Sequence, residues 1–116
     1  GIDGSREMVE QAAARNAKAI AAGRVDIRHG FAECLPFPDE TFDKALSINS
    51  LQVWSNHKAG LLEIRRVLKE DGRLALGFTA HARQPKAGLP EQLTAAGFSE
   101  ARLVEMAEGF CVLARK

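Results

Sequence analysis

No stretch of these 116 residues comes near the roughly 20 consecutive apolar residues that cross a bilayer, and the first residues do not form a signal peptide. A membrane partner is therefore not expected, and the cytoplasm is the expected compartment. An excess of charge is also missing. The 16 basic and 15 acidic residues are interspersed at a formal net charge of +1, so no basic stripe points to nucleic acid and no acidic tail points to tethering. That leaves a small molecule as the expected partner, or none. Cysteine is scarce: Cys34 and Cys111 stand far apart without a CxxC, and read as two reduced thiols. His29, His57 and His81 are dispersed, with neither metal-ligand nor triad spacing, so no metal is expected and no catalytic residue is assigned. Internal repeats and low-complexity segments are absent, and residues 1–116 read as a single domain. A starting methionine is missing as well; Gly1 reads as a cut or a cloning boundary.

What is present is the composition of an ordinary globular protein, 46% hydrophobic and 27% charged. Ser5 is a candidate N-cap for one helix that carries Met8, Val9, Ala12, Ala13, Asn16, Ala17 and Ile20 at helical spacing and stops at Gly23. Being rich in alanine, that helix can lie close to a sheet. Val25 to His29 alternates like a short strand, and Lys44 to Ile48 reads as a more buried one. An amphipathic helix follows over His57 to Lys69, ended by the turn residues Asp71 and Gly72. The apolar run Arg73 to Thr79 suits a strand covered on both faces. Ala80 to Gly88 is a polar loop, Leu89 to Ala96 a short helix with Pro90 in its first turn, and Ala101 to Met106 and Phe110 to Arg115 a hairpin. Alternating strands and helices with a terminal hairpin predict an α/β fold, its sheet mostly parallel with one antiparallel strand.

The stretch His29 to Asn49 organises the chain. Two strands joined by a loop with Pro36 and Pro38 make an edge that faces a ligand, because ligands of open α/β sheets lie beyond the carboxyl ends of the strands. Within it, Ala32-Glu33-x-Leu35-Pro36-Phe37-Pro38-Asp39-x-x-Phe42-Asp43 resembles the second half of the cofactor site of class I S-adenosylmethionine-dependent methyltransferases, in the small-molecule group that includes quinone-biosynthesis enzymes. Three more modules resemble the same family in the right order: Gly1-Ile2-Asp3-x-Ser5-x-x-Met8, Glu63-Ile64-Arg65-Arg66-Val67-Leu68-Lys69-x-x-Gly72-x-Leu74, and Leu93-x-x-Ala96-Gly97-Phe98. Any one of these also occurs in unrelated α/β proteins. Their order carries the resemblance.

The resemblance implies a partial Rossmann-like class I methyltransferase sheet with an antiparallel C-terminal hairpin, lacking the family's first strand and glycine-rich loop and so N-terminally truncated. In the family that strand lies between the second and the fourth, so apolar edges and an open seam are expected here. It also implies S-adenosylmethionine as cofactor and a small-molecule methyl acceptor. Asp3 would accept hydrogen bonds from the ribose hydroxyls, the other reading being an acid favoured by a helix N-terminus. Ala32 would offer its backbone N–H to the adenine edge. Phe31 stands where the family usually has an acid; it packs on the adenine face or, the more ordinary role, in the core. Glu33 is a substitute acid or, more ordinarily, a solvated loop carboxylate. Gly4 replaces a larger apolar residue, which loosens the adenine on that side. Asn49 and Ser50 would lie near the methionine or the transferred methyl, although a strand-end Asn also starts helices. Trp54 lines an acceptor pocket or is buried for structural reasons, and Gln52 cannot act as a base. Two other functions remain open: a non-catalytic remnant that closes its seam by self-association, possible as a homo-oligomer, and a nucleotide-binding domain of dehydrogenase type.

Overall fold

The computed structural model describes all of residues 1–116. At the N-terminus, β1 (Ile2–Asp3) leads into α1 (Arg6–Arg15), α2 (Ala17–Ala21) and β2 (Arg28–His29). Ser5 caps α1 as expected, its Oγ accepting the Met8 N–H at 3.3 Å. The single helix expected as far as Gly23 is instead two. Asn16 leaves the helical conformation and its Nδ2 donates to the Ala12 carbonyl at 2.8 Å, the local competition with the helix ladder that asparagine side chains provide. Neither helix contains a buried residue. The strand expected over Val25 to His29 shrinks to two residues because β1 offers only two partners, Ile2 to Arg28 and Asp3 to His29, in parallel.

The rest of the chain forms β3 (Phe42–Ile48), α3 (His57–Val67), β4 (Leu68–Thr79), α4 (Leu89–Ala95), β5 (Ser99–Met106) and β6 (Gly109–Arg115), with short 3₁₀ turns at Leu51–Val53 and Ala80–Ala82. Their sheet has the order β3-β4-β6-β5. Strands β3, β4 and β5 run one way and β6 runs against them, so the sheet is mostly parallel and closes with the expected antiparallel hairpin. Asp71 and Gly72 do not separate a helix from a strand. They sit inside β4, where the register with β3 jumps from Phe42–Leu68 to Lys44–Arg73 and Asp71 takes a positive φ of 62°. The turn chemistry is spent on a bulge.

Along β4 and β6, Leu74, Leu76, Phe78, Phe110, Val112 and Ala114 alternate onto one face, where Leu61 and Ile64 of α3 and Leu89 and Leu93 of α4 complete the core. The opposite face, with Ala75, Gly77 and Leu113, is only half-buried. The apolar run of β4 is therefore covered on one face, not on both, because no helix packs against the other. The expectation for β3 also fails. It pairs only with β4, and Leu46 is 70% and Ile48 59% exposed. The apolar edge and seam expected from the resemblance are both present, since β1-β2 and β3-β4-β6-β5 are separate sheets.

Candidate functional site

A cleft of about 800 Å³ lies between the two sheets. Asp3 ends β1, Gly30 follows β2 and Asn49 follows β3, and all three line it, so the carboxyl ends of three strands open on one space. The structure brings together all five residues singled out from the sequence: Asp3, Gly4, Phe31 and Ala32 come from one wall and Asn49 from the other.

Asp3 Oδ1 accepts the Ser5 N–H at 2.8 Å, and the Asp3 carbonyl accepts the Gly30 N–H at 3.0 Å. The second carboxylate oxygen has no partner in the protein, and Ser5, not Asp3, caps the helix. Ala32 lies within the turn that the Cys34 N–H closes on the Phe31 carbonyl at 3.1 Å, and its own N–H donates to no protein acceptor. A backbone donor and a carboxylate oxygen are thus both uncommitted at the cleft.

Gly4 and Phe31 explain each other. A Cβ on Gly4 would lie 3.0 Å from the Phe31 ring, so the ring occupies the space that a larger side chain at position 4 would fill. Phe31 is 59% exposed, which overturns the core reading; it stands at the cleft and makes an edge-to-face contact with His29 at 5.6 Å. Glu33 is not a solvated loop carboxylate either. Half-buried, it accepts the Asn56 N–H at 3.1 Å, and its own backbone N–H and that of Asn56 hold its carboxyl below the ordinary value.

Asn49 has a positive φ of 49°, and its side chain is spent on the neighbouring strand: Oδ1 accepts the Thr79 N–H at 2.9 Å and Nδ2 donates to Thr79 Oγ1 at 3.0 Å. It neither starts a helix nor keeps a free amide. Its role is to fasten the carboxyl ends of β3 and β4 at the cleft floor. Trp54 is half-buried, donates from Nε1 to Ser50 Oγ at 2.8 Å and lines the cleft while packing on the core. Its ring lies so close over Gly60 that a Cβ there would come within 2.6 Å. Gln52 does not line the cleft.

One arrangement went unread in the sequence. Arg66, on α3, donates to Glu63 and also to the Leu35 and Phe37 carbonyls at 3.1 and 2.8 Å and to Asp39 Oδ1 at 2.9 Å. Glu63 in turn accepts the Leu35 N–H at 3.0 Å. The Arg66 guanidinium holds the Glu63 carboxyl below its ordinary value, and Glu63 and Asp39 together raise that of Arg66. The i,i+3 spacing of Glu63 and Arg66 was the available signal, but it could not show which loop the pair would grip.

No helix is long and apolar enough to cross a membrane. The family profile described as "Methyltransferase domain" matches residues 1–76. The chain is 30% identical over 115 residues to YrhH of Bacillus subtilis, which bears a methyltransferase name; the match covers 99% of this chain and 63% of YrhH. It is 36% identical over 76 residues to the ubiquinone/menaquinone biosynthesis C-methyltransferase UbiE of Geotalea daltonii, covering 66% of this chain and 32% of UbiE. A solved SAM-dependent methyltransferase from Aquifex aeolicus superposes with a TM-score of 0.85 over 98% of this chain and 66% of that one, at 24% identity, and so shares the fold. The chain spans less than two thirds of either curated relative.

Proposed function

The chain belongs to this methyltransferase-domain family, which depends on S-adenosylmethionine, and from that premise we propose that its cleft receives the ribose and adenine of the cofactor in a protein that methylates a small molecule. The observation that carries the reading is the convergence of Asp3, Gly4, Phe31, Ala32 and Asn49 on one cleft. The residues suit the group chemically. The uncommitted Asp3 oxygen can accept from ribose hydroxyls, the free Ala32 N–H can donate to the adenine edge, and the exposed Phe31 ring offers a face for stacking. Asn49 takes part through its backbone position, because its amide is committed to Thr79.

When bound, the cofactor supplies a sulfonium-activated methyl group. The residues of this chain have to hold and orient it and to keep water away, tasks that need no general base. Leu46, Val53 and Trp54 supply the apolar part of the cleft on the β3 side, which favours an acceptor with an apolar portion.

Titration of S-adenosylhomocysteine into isotope-labelled protein tests the reading. The expected result is a set of saturable amide shifts centred on Asp3, Gly4 and Ala32. Shifts scattered over the molecule, or none at millimolar ligand, would defeat it. The reading of the chain as a self-associating module is favoured by a different observation, the exposed Leu46 and Ile48 on the free edge of β3.

A further inference from the structure

No residue of segment 1–30 makes a hydrogen bond to any residue of segment 41–116. Hydrogen bonds therefore join the two sheets only through residues 31–40, and the cleft lies across that joint. On the N-terminal side, Arg28 reaches the loop through the Pro36 carbonyl and by lying over the Phe37 ring at 5.0 Å. On the core side, Arg66 takes the Leu35 and Phe37 carbonyls and Asp39, Glu63 takes the Leu35 N–H, the Arg66 carbonyl accepts the Glu40 N–H, and nearer the wall Glu33 accepts the Asn56 N–H. A planar guanidinium suits this task, since its fixed fork satisfies several acceptors at once. Its side chain is 31% exposed and that of Glu63 24%, so the pair is sheltered from much of the screening that weakens surface ion pairs.

We infer that Arg66 and Glu63 are positioning residues that set the spacing of the two cleft walls, by gripping the Leu35–Asp39 loop on which the Asp3, Phe31 and Ala32 wall hangs. They do not line the cleft themselves. Loss of the grip leaves the core of β4, β6, α3 and α4 intact and frees the N-terminal wall. The effect on ligand binding rests on the cofactor reading above; the effect on the loop does not.

The test uses Arg66→Met, which keeps the stem and removes the donors, with Glu63→Ala as a second variant should the first not fold. Val112→Ala, buried on the far side of the core, serves as a control lowered in Tm by a comparable amount. In Arg66→Met the Leu35 amide, protected in the wild type by Glu63, is expected to exchange at least tenfold faster while core amides such as Leu76 stay protected. S-adenosylhomocysteine binding should weaken at least tenfold, with little change in Val112→Ala once the folded fraction is taken into account. Arg66→Lys, which keeps the charge without the fork, should recover only part of either. Unchanged Leu35 exchange in the Arg66 and Glu63 variants would overturn the inference. So would losses in Arg66→Met that merely match those of Val112→Ala. A wild type that binds no S-adenosylhomocysteine would defeat the cofactor reading alone, leaving Leu35 exchange to decide the grip.

Discussion

Residues 1–50 and 51–116 are built on opposite terms. All 17 buried residues lie at or beyond Leu51, whereas the five residues proposed to face the cofactor all precede it. The later half has a core; the earlier half has a site. The proposed binding chemistry is thus carried by backbone ends and exposed side chains, held in place by a core to which they scarcely contribute. The two halves should therefore respond differently to damage.

The largest effect is expected from the core. Leu76→Ala removes a fully buried side chain from the middle of β4 and should cost about 3 kcal/mol, read as a lower urea midpoint reported equally by probes in both halves. If the cleft amides lost protection at a different denaturant concentration from the core, the earlier half would fold more independently than the structure indicates.

Gly60→Ala acts at the border between the halves. Its Cβ would lie 2.6 Å from Trp54, so the ring must move, at a cost of about 1–3 kcal/mol. Because Trp54 lines the cleft, a shift in its fluorescence should accompany the loss of stability.

Acid should loosen the earlier half by a smaller amount. The folded-state value of Glu63 lies below its ordinary 4.5, so its pairing with Arg66 contributes fully above that pH and is lost as pH falls through the depressed value. Measured against pH, the difference in stability between wild type and Glu63→Ala should be constant above 4.5 and shrink below it. A difference that grew in acid would reverse the assignment.

The smallest effect on stability is expected at the free edge. Leu46→Lys places a charge on an exposed side chain and should change stability by no more than about 0.5 kcal/mol, while it reduces concentration-dependent self-association seen by light scattering. A wild type that stays monomeric at every concentration would remove the self-association reading.

Much of the fold was legible because its signals are local. The Ser5 cap, the amphipathic stripe of α3, Pro90 at the start of α4 and the hairpin around Ala107 and Glu108 each depend on residues a few positions apart. Apart from the break at Asn16, which is a local competition within the helix, the differences concern what lies next to an element. An apolar run looks the same whether one face of its strand is covered or two, which is why β3 and β4 were expected to be more enclosed. Asp71 and Gly72 announce a reversal of the chain, but only pairing with β3 shows that they form a bulge.

The site followed the same division. Strand ends and loop motifs are written in consecutive residues, so the family resemblance was legible in the sequence, and the resemblance in turn pointed to Asp3, Gly4, Phe31, Ala32 and Asn49. Whether Phe31 is core or rim, whether Glu33 is free or latched, and what Arg66 grips were settled only by tertiary structure. For Glu33 and Arg66 the outcome depends on groups 23 to 31 positions away arriving within 3.1 Å, and such distances arise from the packing of α3 against the loop rather than from any local preference of the chain.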